Sequence, residues 1–334
     1  MKAIRLEGPG TVTVAEIPAH DATAGEVLLK VQMVGMCGTD LNTFRGRNAM
    51  VVFPRVIGHE VAATIVSGGG DLADGTAVTI SPYTSCGHCP SCLRGRPNAC
   101  VTNQTLGVQR DGAMTEFVSV PREKVYAARL TLTELCLVEP LTVGFHAIAR
   151  GRVTAEDTVA IFGCGGIGLG AIAASAFRGA NTIAIDMDPA KLEVARKAGA
   201  QHLIDTKTED LHTRLQEITG GRGPDVIVEA IGLPETFRAA VDEVAFTGRV
   251  VYIGYAKEPV AYETRLFVQK ELDILGSRNA LPEDFREVIQ MLEAGKFPVS
   301  DAISAIIPME DAARLLAEWS AAPGKFTKII VKID

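Results

Sequence analysis

The chain has 334 residues, 47% of them hydrophobic and 22% charged, and a formal net charge of −7. That length suggests roughly two domains and supplies enough apolar material for a sizeable core. The acidic balance argues against a nucleic-acid-binding surface or a basic membrane patch, and no recurring period points to a solenoid.

The N-terminal run MKAIRLEGPGTVTVAEIP has no apolar stretch after its lysine, so it reads as a strand rather than a signal peptide. A cytoplasmic location is expected, where thiols stay reduced. Up to about residue 140, short strands are broken by glycine and proline. EVLLKVQMVGMCG, EVAATIVSGGG, TAVTISPY and AMTEFVSVP alternate or are β-branched. Helical periodicity is scarce before about residue 134, so an all-β module is expected there.

From about residue 157 strands and helices alternate. TVAIFG leads into GIGLGAIAASAFRG, TIAID into PAKLEVARKAGA, HLIDT into EDLHTRLQEITG, and PDVIVEAIG into PETFRAAVDEVAF, followed by GRVVYIG and LDILGS. Repeated βα units imply an α/β fold with a doubly wound parallel sheet covered on both faces. Nearly continuous apolar strands fit burial on both sides. The uncharged stretch Thr158 to Phe177 is long enough to mimic a membrane span, but its glycines at turn-like spacing favour a strand and a helix. No membrane partner is expected. Beyond Ser277, Pro282 opens the helical PEDFREVIQMLEAGK, and MEDAARLLAEWSAA follows. The closing TKIIVKI is expected to rejoin the N-terminal β module.

Gly163-Cys164-Gly165-Gly166-Ile167-Gly168 is a G-x-G-x-x-G between a strand and a helix, with Asp186 at the end of the next strand. Gly163 permits the tight turn, Gly165 the approach of a pyrophosphate, and Gly168 the packing of helix on sheet. Gly166 and Ile167 open the helix, whose N-terminus stabilises phosphate charge. A carboxylate at Asp186 suits the adenosine ribose and repels a 2′-phosphate, which favours NAD over NADP.

Cys86, Cys89, Cys92 and Cys100 are spaced C-x2-C-x2-C-x7-C, and the chain's seven cysteines are an odd number. Four thiolates can close a tetrahedral shell around a structural zinc. An iron–sulfur cluster is the rival, since C-x2-C-x2-C occurs in ferredoxins, but the run does not continue C-x3-C-P. A second, dispersed metal set is Cys37 in MCGTD, His59 and Glu60 in IGHE, and Glu139 in VEPL. A catalytic zinc takes about three protein ligands and keeps an open position, which Cys37, His59 and Glu139 could provide with Glu60 or water completing the shell. On spacing alone this signal is weak, because a lone cysteine on a strand is usually buried core and GHE could be a surface turn.

GMCGTD, PRVIGHE, the four-cysteine lobe, VEPL, GCGGIG and GSRNA fall in the order seen in zinc-dependent medium-chain alcohol dehydrogenases, and the chain resembles that family over essentially its whole length. Within it the chain looks like the polyol, threonine and sugar-acid branch, which has Glu in EP where the ethanol-oxidising branch commonly has Cys. The resemblance implies a GroES-like β domain of residues 1–144 and 278–334, with the structural zinc lobe at 86–100. A Rossmann NAD-binding domain of residues 145–277 would interrupt it, with the active site in the cleft between them.

It also implies two zinc ions, the catalytic one on Cys37, His59 and Glu139 with Glu60 able to exchange. Thr39 would begin a proton relay, Asp40 would orient a histidine ligand, and Lys191 and Ser277 would lie near the cofactor. Some relatives carry histidine two residues after the TD pair, where this chain has Asn42, and Asn cannot shuttle protons as imidazole does.

The expected partner is a small polyhydroxylated molecule, with no nucleic acid, and the expected assembly a homo-oligomer, dimer or tetramer. Within the branch, GMCGTD…FRGRN…FPRVIGHE with LGSRNA looks most like the gulonate, galactonate and idonate 5-dehydrogenase group. Arg45, Arg47, Arg110 and Arg278 are candidates to hold a sugar-acid carboxylate.

Overall fold

A computed structural model describes residues 1–19 and 22–333 of the chain. It opens with β1 (Lys2–Gly8), β2 (Thr11–Glu16) and the long β3 (Glu26–Met36), then helix α1 (Gly38–Phe44), β4 (Arg55–Val56), β5 (Glu60–Ser67) and β6 (Ala77–Ile80). The short helix α2 (Pro90–Leu93), β7 (Phe117–Pro121), β8 (Val125–Ala127) and the long helix α3 (Leu132–Arg150) follow. The expected all-β module thus contains α1. Seven residues are too few to show a 3.6-residue period, and the helix starts on a capping box in which Cys37 and Asp40 satisfy backbone donors.

The βα run is present as expected. It comprises β9 (Thr158–Phe162), α4 (Gly166–Phe177), β10 (Asn181–Asp186), α5 (Pro189–Lys197), β11 (His202–Asp205) and α6 (Leu211–Thr219). It continues through β12 (Val226–Glu229), α7 (Pro234–Glu243), β13 (Arg249–Tyr252), α8 (Arg265–Gln269), β14 (Asp273–Gly276) and α9 (Pro282–Glu293). The six strands pair in the order β11-β10-β9-β12-β13-β14, every pair parallel. This is a Rossmann sheet, and its order reverses between β9 and β12, where such sheets bind ligands beyond the strand C-termini. Phe162, Ile183, Ile204, Ile227 and Val250 form its buried core.

The chain ends with α10 (Val299–Ala302), β15 (Ala305–Pro308), α11 (Ala312–Ala321) and β16 (Ile329–Lys332). As expected, β16 returns to the N-terminal module, antiparallel to β3 with Ile329 opposite Met36. The large sheet runs β15-β16-β3-β5-β6-β8, with β7 also paired to β3, and Leu29, Val34, Val61, Ile80, Met114 and Leu316 lie in its core.

Two compact units result, Met1–Pro140 with Val299–Asp334, and Leu141–Pro298. The second junction therefore lies at 298, where the sequence places it at 277. Side chains account for the difference. Asp284 of α9 lies 2.9 Å from the His146 ring, both buried, and Arg178 meets Glu287 at 2.6 Å, so α9 belongs with the parallel sheet. The 19-residue α3 is long and apolar enough for a membrane span, but with 72% of its apolar window buried it is a core helix. The stretch Thr158 to Phe177 is β9, the glycine turn and α4.

Candidate active site

In the first unit three chain segments deliver the metal-ligand candidates. Cys37 caps α1, its Sγ accepting from the Thr39 N–H at 3.4 Å. The Cys37 N–H donates to Asp40 Oδ2 at 2.9 Å, and the Gly58 N–H donates to Asp40 Oδ1 at 3.3 Å. Asp40 thereby ties the turn carrying Cys37 to the turn carrying His59. Among the described residues its hydrogen bonds go to the backbone of both turns, and its charge acts on the His59 ring. Burial raises its pKa, and the nearby His59 works the other way.

Gly35 pairs with Glu60 across β3 and β5. A Cβ at Gly35 would stand 2.0 Å from Glu60 Oε2, so only glycine leaves room for that carboxylate.

The ligating atoms of Cys37, His59 and Glu60 lie within 4.8 Å of one another. His59 is buried, and its Nδ1 has no hydrogen-bond partner. Burial opposes a charge on the ring, yet Cys37, Asp40 and Glu139 together hold its pKa well above the usual histidine range. Glu139, buried on α3, is close enough to act on His59 electrostatically, but its Oε1 accepts the Tyr83 hydroxyl and it stands outside the tight threesome. Burial also raises the pKa of Glu139.

Sulfur, imidazole and carboxylate donors, buried with an orphan ring nitrogen and a surplus of acidic groups, fit a zinc ion. Thr39 is half-buried beside Cys37, while Asn42 is exposed. An Asn42 relay step finds no support in that position.

Two residues of this centre have no counterpart in the sequence reading. Tyr83, in SPYTS, reaches Glu139. Lys328, 6% exposed, donates to both Glu60 oxygens at 2.5 and 2.6 Å and to the Met36 carbonyl at 3.3 Å. Burial disfavours its charge, but Glu60 and Cys37 outweigh this and raise its pKa. The available signal was a lysine at the head of an otherwise apolar strand, where burial demands an acidic partner.

The lobe cysteines Cys86, Cys89, Cys92 and Cys100 bring their sulfurs within 4.8 Å of one another, all as free thiols. Backbone donors point at them: Cys86 N–H to Cys100 Sγ at 3.3 Å, and Cys89 N–H to Cys86 Sγ at 3.4 Å. The Ser91 hydroxyl at 3.1 Å is the main reason the Cys89 thiol is pulled down to about 5, while desolvation pushes Cys92 up to about 11. Four sulfurs with thiolate-stabilising donors fit a closed structural metal site.

In the second unit the turn after β9 has the geometry the glycine pattern implies. Gly163 has φ 97°, and a Cβ there would meet Ile231 Cγ1 at 2.7 Å. At Gly168 a Cβ would strike the Gly163 carbonyl at 1.8 Å. At Gly165 it would meet nothing within 4 Å, and Gly165 caps α4 without any side-chain hydrogen bond. The amides of Gly166 and Ile167 at this helix start are therefore offered to a ligand rather than to the protein.

Asp186 Oδ2 accepts the Cys164 N–H at 2.7 Å, which puts the acid beside the turn, and Lys191 acts electrostatically on Cys164. Ser277 follows β14, three strands from β9, about 14 Å at the usual strand spacing. Its Oγ is buried without a partner.

Arg45 donates to the Ser320 carbonyl and hydroxyl, and Arg47 and Arg278 are exposed.

A Rossmann sheet with a phosphate-binding turn, joined in one chain to a β unit with a thiolate–imidazole–carboxylate centre, defines a zinc-type, dinucleotide-dependent dehydrogenase. Comparison with known proteins agrees. Residues 23–129 match the alcohol dehydrogenase GroES-like domain, and residues 166–294 the zinc-binding dehydrogenase domain. The chain belongs to the zinc-binding alcohol dehydrogenase family.

It is 34% identical to L-galactonate-5-dehydrogenase of Escherichia coli K12 over 275 residues, 81% of each chain. It is also 34% identical to sorbitol dehydrogenase of Bacillus subtilis over 287 residues, 83% of this chain and 81% of that one. Among solved structures, the NADH complex of the alcohol dehydrogenase RspB from Escherichia coli CFT073 superimposes with a TM-score of 0.91 at 29% identity, covering 100% of this chain and 99% of the other.

Proposed function

We propose that this enzyme oxidises a secondary alcohol of a sugar acid, of hexonate type, to the ketone, with NAD as the hydride acceptor. The observation that carries the chemistry is the buried convergence of Cys37, His59 and Glu60, with Glu139 beside it. When bound, zinc supplies Lewis-acid polarisation of the substrate hydroxyl and NAD supplies the redox chemistry. Cys37, His59 and Glu139 would hold the metal, with Glu60 within reach of it. Lys328 holds the Glu60 carboxylate in place, Asp40 holds the two ligand-bearing turns in register, and Thr39 would begin a relay that passes the hydroxyl proton on to water or the cofactor ribose. The four-cysteine lobe would hold a second zinc that braces its loop.

The likeness to L-galactonate-5-dehydrogenase supports a sugar acid. The equal identity to a sorbitol dehydrogenase supports a second reading, a neutral polyol. The deciding measurement is kcat/KM with NAD for hexonates, the parent hexitols, threonine and simple aliphatic alcohols. Hexonates should lead by more than tenfold, a gap of about 1.4 kcal/mol in transition-state binding. A lead for hexitols selects the polyol reading, and a lead for threonine or simple alcohols discards both.

For the cofactor, the Asp186 carboxylate beside the glycine turn supports NAD over NADP. Asp186→Ser should weaken NAD and admit NADP, narrowing the ratio of their kcat/KM values by about tenfold or more. An unchanged ratio would place Asp186 away from the ribose.

A further inference from the structure

Arg110 is partly buried with its Nε unpartnered, and its surroundings touch the candidate metal centre from two sides. Its carbonyl accepts the Gly107 N–H at 2.9 Å, and Gly107 packs so closely on Gly58 that a Cβ there would stand 2.6 Å from the Gly58 nitrogen. Gly58 precedes His59. Its Nη2 reaches the Pro82 carbonyl at 3.4 Å, and Pro82 precedes Tyr83, whose hydroxyl meets Glu139.

The charge of this arginine is poorly matched. Its Nε is buried without a hydrogen-bond partner, and the Pro82 contact is long. The adjacent carboxylate, Asp111, turns away to Arg55 at 2.9 Å and the Val56 N–H at 3.1 Å. Glu26 is the acid whose charge reaches Arg110, and its carboxylate accepts from Thr23 N–H at 3.1 Å and Thr23 Oγ1 at 2.8 Å. Among the described residues no carboxylate forms an ion pair with Arg110.

A second cation sharpens the imbalance. The Lys124 carbonyl accepts the Ser81 N–H at 2.8 Å, one residue from Pro82, and its ammonium is near enough for Arg110 to repel it. Desolvation lowers the pKa of both groups, and for Lys124 the neighbouring guanidinium adds to that. Glu26 acts on Arg110 and Glu123 on Lys124 only through space, and among the described residues neither cation forms an ion pair, so an anionic group at the two would recover free energy.

We propose that Arg110 and Lys124 form an oxyanion subsite of the substrate-binding region, taking a carboxylate or phosphate at the end of a polyhydroxylated substrate. This rests on the polyhydroxylated-substrate reading above and assigns where the substrate's charge is held. The guanidinium fork matches two oxyanion oxygens, and the lysine adds a point charge.

The test uses the holoenzyme with NAD and three substrates of one carbon skeleton: a hexonate, a hexitol phosphate and the neutral hexitol. The readout is the ratio of kcat/KM for each anion to that for the hexitol, because a folding defect lowers all three together. Arg110→Gln should reduce the ratio by about thirtyfold and Lys124→Gln by about tenfold, the range for hydrogen bonds to charged groups. Whichever anion leads in the unmodified enzyme identifies the group as carboxylate or phosphate. Ratios that stay within about twofold in both variants overturn the subsite.

A binding arm separates this idea from the substrate reading. Inorganic phosphate is titrated calorimetrically into the NADH-saturated enzyme, where the cofactor already fills the dinucleotide turn. Phosphate binding that weakens at least tenfold in Arg110→Gln upholds the subsite even if no sugar acid is oxidised. Equal binding in both proteins overturns it.

Discussion

Lys328→Met is expected to lower the melting temperature of the enzyme by about 10 °C, the largest stability effect foreseen for a single substitution at the centre. Glu60 is 1% exposed and Lys328 6%, and their contact at 2.5 and 2.6 Å lies in a site already crowded with acids. Removing the lysine strands a buried carboxylate beside Cys37, Asp40 and Glu139. Breaking one side of a buried pair costs about 3–5 kcal/mol, and in a unit of this size each kcal/mol moves the midpoint by about 2–4 °C. Methionine keeps most of the stem volume, so the loss reports the charge rather than a cavity.

The double variant Glu60→Gln with Lys328→Met should recover most of that loss, since a pair replaced as a whole is nearly neutral. The cycle of single and double variants isolates the coupling. A single variant melting within about 2 °C of the parent would show that Lys328 does not carry this charge balance.

How much of this was open to reading in the chain depends on the range over which each feature is encoded. The Rossmann sheet was legible because strands buried on both faces leave continuous apolar runs such as VAIF, followed by local turn chemistry at Gly163 and Gly165. The lobe was legible because its four ligands sit within fifteen residues.

Helix α1 was not. It is seven residues long and capped by Cys37 and Asp40, so neither a period nor a common Ser or Thr cap announces it. The Glu60–Lys328 pair was hidden for another reason. It exists only because β16 pairs with β3 in the register that sets Ile329 opposite Met36, which no local pattern specifies. Tyr83 beside Glu139 depends likewise on the packing of α3. The junction at 298 could not be seen because α9 carries a normal amphipathic pattern, and its allegiance is decided by Asp284 with His146 and Glu287 with Arg178.

The largest effect on activity is expected from His59→Ala, and its meaning comes from comparison with Cys92→Ser. His59 supplies the nitrogen donor of the buried centre, and nothing else within the tight set can replace it. Groups that merely orient metal ligands cost roughly 10–100-fold when changed, so loss of a ligand should exceed that range. Turnover should fall about a thousandfold or more, equivalent to about 4 kcal/mol.

NADH binding, measured by fluorescence titration, should persist, because the glycine turn and Asp186 belong to the other unit. Cys92→Ser should do the reverse. A four-sulfur site contributes folding energy outright, so this variant should lose about one zinc per chain and much of its thermal stability. Metal analysis, melting and turnover on both variants give the answer together. Near-normal turnover in His59→Ala would remove the catalytic assignment, and unchanged zinc content and melting in Cys92→Ser would remove the structural one.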